Sequence, residues 1–252
     1  MATFAQLLAE GENADISGWD FSWLTGRATE ERPEWRYGEL LADRLGRADS
    51  ALDLQTGDGA LIAAVPELPD HMVVTEGYPP NLDKARAALE PRGVWVVEHD
   101  GQSPLPIADE VVELVSSRHP VTVPWAQIVR VLQPGGCYLA QHVGPASGFE
   151  LIEFFLGPQP QARLARCPAA AVAAARAVGL DVVDLREARL RMEFRDVAAV
   201  VFTLRKLIWW VPDFSIERYA ARLALLHNQI RREGAFVAHS SRYLIEAFKP
   251  VG

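Results

Sequence analysis

Three carboxylates give the first hint of chemistry in this chain. Asp53, Glu76 and Asp100 each close a short apolar run, spaced as a strand, a crossover and the next strand would be. After Asp53 the chain reads Leu54-Gln55-Thr56-Gly57-Asp58-Gly59, then turns apolar and Ala-rich from Ala60. Glycines at such a strand-to-helix turn let backbone come close to a ligand. The spacing fits neither phosphate loop. Ala60-Leu61 stands where a Walker loop needs Lys and Ser or Thr, and Gln55 stands where a dinucleotide fingerprint needs its first glycine. An aspartate opening the turn suits a cationic amino group better than a pyrophosphate. Three acids at successive strand ends suit a ligand with an ammonium, a ribose diol and an adenine amino group. Two histidines, His119 and His142, close later apolar runs, and imidazole has the ordinary pKa for proton transfer near neutrality. Arg118 beside His119 suits a carboxylate held bidentately, or a loop tied down by an ion pair.

The elements that must position these residues alternate along the chain. Strands are expected over 51–54, 72–75, 94–97, 111–116 and 138–142. Between them fall helices over 36–46, 60–65, 81–89 and 125–132. Asn81 is expected to N-cap the third of these, and Pro134-Gly135-Gly136 to terminate the fourth. The alternation predicts an α/β fold: a mostly parallel sheet, doubly wound, with helices on both faces. In such sheets ligands sit beyond the carboxyl ends of the strands, near the switch in strand order. Later come helices over 149–156 and 169–178, then a strand from Leu180 that could reach Phe194. An apolar helix from Asp196 through Trp209, an amphipathic helix over 215–232 and a last strand over 241–248 complete the chain. The reading is one domain over 1–252, with an aromatic N-terminal arm over 1–37 and a helical insertion over 195–238.

Composition narrows the function. The chain has 252 residues, 49% of them apolar, enough for one large core. A net charge of −8 lacks the basic field that drives nucleic-acid binding. Cys137 and Cys167 form no metal-ligand or disulfide pattern, so no metal is expected. Neither a signal-like order at the N-terminus nor a membrane-length apolar run is present, so the expectation is a cytoplasmic protein that does not engage a membrane.

The order and spacing of these segments resemble class I S-adenosylmethionine-dependent methyltransferases of the UbiE-like, small-molecule kind, from about Trp35 onward. Asp53 through Gly59 corresponds to the family's acidic-x-Gly-x-Gly-x-Gly loop, with Gln55 departing from its first glycine. Glu76 follows at the next strand end, and Asp100-Gly101 at the one after. Arg130-Val131-Leu132-Gln133-Pro134-Gly135-Gly136 before a strand is a frequent family phrase. The resemblance implies a Rossmann-like seven-stranded sheet of order 3-2-1-4-5-7-6 with strand 7 antiparallel. It implies S-adenosyl-L-methionine as cofactor and S-adenosyl-L-homocysteine as product. Gly57 and Gly59 would pass under the methionine part, with Asp53 near its amino group and Gln55 either bonding or crowding it. Glu76 would take the ribose hydroxyls, Tyr78 would cover the adenine, and Asp100 with Gly101 would bind its amino group. Ser117 would line the same edge, and Tyr37 would fold over the cofactor.

Methyl transfer from a sulfonium is an in-line displacement. Holding the acceptor about 3–3.5 Å from the methyl carbon is its main requirement, and a base is needed only where the acceptor must lose a proton. His119 and His142 are the candidates for that base, with Arg118 as a substrate contact. Trp19, Trp23, Phe202 and Trp209 would help close an apolar acceptor pocket, and Phe202 could equally be core packing. The expected acceptor is an O or N atom of a small molecule such as a secondary metabolite. Alternatives are a cofactor-binding protein without methyl transfer and an RNA methyltransferase. The apolar 196–214 segment suits a homodimer surface as well as a pocket wall.

Overall fold

The computed structural model describes residues 2–251. Its strands are β1 (Ala28–Glu30), β2 (Ser50–Asp53), β3 (His71–Glu76), β4 (Trp95–Glu98), β5 (Val112–Arg118), β6 (Leu132–Val143), β7 (Asp181–Phe194) and β8 (Phe236–Phe248). Its α-helices are α1 (Phe4–Asn13), α2 (Tyr37–Leu45), α3 (Ala60–Ala63), α4 (Pro79–Leu89), α5 (Trp125–Val131), α6 (Phe149–Leu156), α7 (Pro168–Ala177), α8 (Val197–Lys206) and α9 (Ala220–Glu233). They fall into two compact units. The larger comprises Pro33–Gly144, Arg166–Ala188 and Arg242–Gly252; the smaller comprises Met1–Arg32, Pro145–Ala165 and Arg189–Ser241.

In the larger unit β2, β3, β4, β5 and β6 pair in parallel, and β8 joins β6 antiparallel. Strand alternation sends side chains to two cores. On one face Ala51, Leu114, Leu139 and Leu244 pack with Trp35, Leu41 and Leu45 around α2, and with Ala85 and Leu89 of α4. On the other, Leu52, Val115, Tyr138 and Ile245 pack with Ile128 of α5 and Ala175 of α7. A sheet buried on both faces explains why its strands read as unbroken apolar runs.

The expected strands 3-2-1-4-5-7-6 are found as β4-β3-β2-β5-β6-β8-β7, the seventh antiparallel, and one further strand is added at the edge. The sheet has eight strands in the order β1-β7-β8-β6-β5-β2-β3-β4. The added strand, β1, pairs antiparallel with the far end of β7, Ala28 opposite Phe194. Three residues, Ala-Thr-Glu, are too few to show a period, so the arm read as irregular. Asn81 is not an N-cap. Tyr78 occupies that place, Pro79 and Pro80 open the helix, and Asn81 is wholly buried with no partner for either carboxamide atom. Proline at the first helical positions costs no hydrogen bond, which moves the start upstream. Helix α8 stops at Lys206, short of Trp209.

In the smaller unit α1 packs along α8. Gly11 makes that approach possible: a Cβ there would lie 2.7 Å from the Ala198 carbonyl oxygen. Asp196 caps α8 by accepting from the Ala199 amide at 2.8 Å, and Arg205 donates to the Gly11 and Ala14 carbonyls. Leu151, Val200, Leu204, Leu223 and Leu226 form the core of this unit.

Candidate functional site

The carboxyl ends of the parallel strands gather most of the expected residues at one edge of the larger unit. Asp53 ends β2, Glu76 ends β3, Arg118 ends β5, and His142 lies one residue from the end of β6. Between Asp53 and α3 the turn needs three left-handed residues, with φ of 56° at Gln55, 70° at Gly57 and 77° at Gly59. Glycine takes this region freely. At Gly59 a Cβ would also lie 2.9 Å from Leu89 Cδ1 and 3.2 Å from Ala85 Cα, so this glycine lets α4 pack on the turn.

Gln55 bears its left-handed conformation as a side-chain residue. Its carboxamide spans the loop after β5: Nε2 donates to the Thr122 carbonyl at 2.7 Å, and Oε1 accepts from the Val121 amide at 2.7 Å. Gln55 is thus a clamp between two loops.

Glu76 is 8% exposed and holds three backbone amides. Oε2 accepts from Gly57 at 2.7 Å; Oε1 accepts from Gly77 at 2.9 Å and Tyr78 at 2.8 Å. A carboxylate offers about four lone-pair sites, so about one is left. The ring of Tyr78, next along, is half exposed.

Asp53 is buried on the α2 face. It accepts from the Ser116 hydroxyl at 2.6 Å. Burial raises its pKa to about 6; the Ser116 bond opposes this, and the nearby Glu76 charge adds to it. A cation would find a carboxylate poorly compensated by water. Asp100 differs. It is exposed and turned onto its own loop, accepting from the Gln102 and Ser103 amides and the Ser103 hydroxyl, each at 2.8 Å. Those bonds lower its pKa to about 2. Gly101, at φ 75°, donates its amide to His99 Nδ1.

Three expected site residues meet different surroundings. Tyr37 is no cover: it is buried in α2, and its one hydroxyl proton is shared between the Ser117 and Leu139 carbonyls, 3.0 and 3.1 Å away. Ser117 is buried too, its hydroxyl donating to the Leu54 carbonyl at 2.7 Å. His142 has both ring nitrogens spent, Nε2 on the Tyr138 hydroxyl and Nδ1 on the Tyr243 hydroxyl, each at 3.0 Å. Burial lowers its pKa to about 4, which leaves it neutral. His119 sits at φ 60° just beyond β5, its Nε2 2.9 Å from Gln141 Nε2. Arg118 is exposed and has no ion pair among the described residues.

The remaining aromatics lie in the smaller unit and pack on one another. The rings of Trp23 and Phe202 stack at 4.9 Å, Trp19 meets the edge of Trp209 at 5.9 Å, and Lys206 lies over Phe21 and Phe202. Phe202 is fully buried, while Trp209 is half exposed. Residues not singled out from the sequence also matter: Ser116 on Asp53, and Gln141 and Trp35 behind His119. Their signal is register, Arg118 opposite Gln141 across β5 and β6, which the sequence does not display.

With this geometry in view, solved structures supply the comparison. An inferred methyltransferase (BH2331) from Bacillus halodurans C-125 superposes with a TM-score of 0.60 at 17% identity, over 86% of this chain and 99% of that one. The [4+2]-cyclase SpnF gives 0.53 at 19%, over 86% and 82%. Geranyl diphosphate methyltransferase, in complex with GPP and sinefungin, gives 0.52 at 13%, over 86% and 77%. This chain has the class I S-adenosylmethionine-dependent methyltransferase fold. No family model and no curated protein matches its sequence. Asp53, the glycine turn and Glu76 lie at the carboxyl edge of the parallel strands, the edge at which open α/β sheets in general bind ligands. The donor set suits S-adenosylmethionine: a buried carboxylate for an ammonium, a strand-end carboxylate for a diol and an exposed tyrosine ring for a base. Among the described residues no helix is long and apolar enough to cross a membrane.

Proposed function

We propose that this protein is an S-adenosylmethionine-dependent methyltransferase acting on an O or N atom of a small molecule in the cytoplasm. One observation carries the reading: Asp53 and Glu76, at the tips of paired parallel strands, flank a left-handed glycine turn whose Gly57 amide Glu76 already holds. When bound, the cofactor supplies a methyl group on a sulfonium, activated for in-line displacement. The chain's part is to bind and orient. Asp53 would face the ammonium. Glu76 would take the ribose diol, for which the Gly57 amide must yield Oε2, because two hydroxyls need more than the one site left free. Tyr78 would cover the adenine, and the Asp100–Gly101 turn would meet its amino group. Gln55 would hold the cofactor loop against the loop that carries His119, while Arg118 and His119 would face the acceptor. In the smaller unit Phe202, wholly buried, supports the cluster of Trp19, Trp23 and Trp209 from beneath. Of the two candidate histidines only His119 keeps a ring nitrogen without a hydrogen bond among the described residues, so it is the one able to contact the acceptor. The test is incubation with S-adenosylmethionine and fractionated small metabolites, reading S-adenosylhomocysteine release. Product in any fraction supports transfer.

A second reading is a protein that binds the cofactor and does not transfer its methyl group. SpnF, a [4+2]-cyclase with this fold, is the observation that favours it. Tight cofactor binding with no product from any fraction would select it. RNA as acceptor runs against the net charge of −8.

A further inference from the structure

A relay of hydrogen bonds behind His119 decides what that histidine offers a ligand. Gln141 is 3% exposed, and each end of its carboxamide has one partner. Trp35 Nε1 lies 2.8 Å from Gln141 Oε1. An indole N–H only donates, so that end is the accepting oxygen and the other is the amide NH2. The NH2 points at His119 Nε2 from 2.9 Å and only donates as well, so Nε2 accepts. The ring is neutral near pH 7. Burial holds its pKa well below 6.5, and the charges of Arg242, Arg118 and Arg166 push the same way. A neutral imidazole that accepts at Nε2 carries its proton on Nδ1.

That fixed tautomer makes His119 a donor. Its Nδ1–H has no hydrogen bond among the described residues, and it is not one of the buried polar atoms left unpartnered. The neighbouring residue, Arg118, is exposed, makes no ion pair among the described residues, and lies close enough for its charge to act on the ring. Donor and cation together match an oxyanion, which a guanidinium meets with paired N–H groups.

We propose that this corner of the site binds an oxyanion of the acceptor, held by His119 Nδ1–H and Arg118, with Gln141 and Trp35 as positioning residues that lock the ring. Assigning the anion to an acceptor rests on the methyltransferase reading above. An acceptor that arrives ionised needs no base, in keeping with His142 having both nitrogens occupied.

The experiment reads ring tautomer and anion binding, without turnover. Imidazole nitrogen–proton correlation spectra at pH 7.5 should show His119 protonated on Nδ1. Protein saturated with S-adenosylhomocysteine is then titrated with benzoate, phenyl phosphate and the neutral analogue benzamide. At least one anion should bind and shift the His119 signals, with benzamide at least tenfold weaker. Gln141→Glu should turn the ring over, because a carboxylate accepts from both Trp35 Nε1–H and His119 Nε2–H. Anion affinity should then fall about tenfold with cofactor affinity unchanged. Trp35→Phe, which frees the amide to rotate, gives a mixed tautomer if the buried charge of the first variant impairs folding. Arg118→Gln should weaken the anion about tenfold and leave cofactor affinity unchanged. An Nε2–H tautomer in the native protein, equal binding of benzamide, no binding of either anion, or competition between anion and S-adenosylhomocysteine would each overturn the proposal. Failure of S-adenosylhomocysteine to bind would count against the methyltransferase reading instead, since tautomer and anion titration are equally readable in the cofactor-free protein.

Discussion

Glu76 illustrates how much one side chain can hold. Three backbone amides already rest on it, and the proposed ribose diol makes a competing claim. Bonds to an ionised carboxylate are worth about 1.5–3 kcal/mol each. Glu76→Gln should therefore weaken S-adenosylhomocysteine by roughly ten- to a hundredfold in calorimetry, and ligand binding should alter hydrogen exchange at the Gly57 amide. Asp53 makes a prediction about pH. Its pKa is raised from 3.8 to about 6 in the folded protein, so the folded state prefers the protonated form. The corresponding stability is complete below about pH 4 and is lost as pH rises through about 6. Asn keeps an acceptor for Ser116 and cannot ionise. Asp53→Asn should gain on the native protein by up to about 3 kcal/mol between pH 4 and pH 7.5 in urea unfolding, while losing cofactor affinity. A constant difference across that range would contradict it. At this scale the sequence showed the acids and histidines themselves, because residue type and strand-end position are local. It did not show that Tyr37 and His142 are tied into the core, because their partners lie far along the chain.

Among the elements, the turn after β2 and the loop after β5 form one construction through Gln55. Its two bonds oppose the cost of a left-handed non-glycine residue, about 1 kcal/mol. Gln55→Ala loses the bonds and keeps the strain, so it should destabilise by about 1–2 kcal/mol in urea. Gln55→Gly also loses the bonds but relieves the strain, and should fall closer to the native value. If the two variants were equally destabilised, the strain would be immaterial. Helix α8 is a buried element: Phe202 under the Trp23 ring should cost about 3–5 kcal/mol as Phe202→Ala. Measured stability within 1 kcal/mol of native would place that ring outside the core. The alternating strands and helices of the larger unit were legible because each carries several periods of pattern. Strand β1 was not, being three residues that gain their partner only when β7 runs on to Phe194.

For the molecule as a whole, an acidic chain of net charge −8 holds Asp53 and Glu76 at one sheet edge. Such a surface gains nothing from phosphate chains and much from a ligand that is cationic where it meets the acids. The fold itself was readable from order and spacing, which survive at 17% identity to a structure of the same shape. The acceptor was not readable, because it depends on side-chain register and on tautomers. The central claim is that these carboxylates bind an adenosyl amino acid. Isothermal titration of the native protein and Glu76→Ala with S-adenosylhomocysteine tests it most directly. A one-to-one isotherm for the native chain, abolished or weakened at least tenfold in the variant, is the result predicted; no heat with native protein, or equal affinity in both, would contradict it.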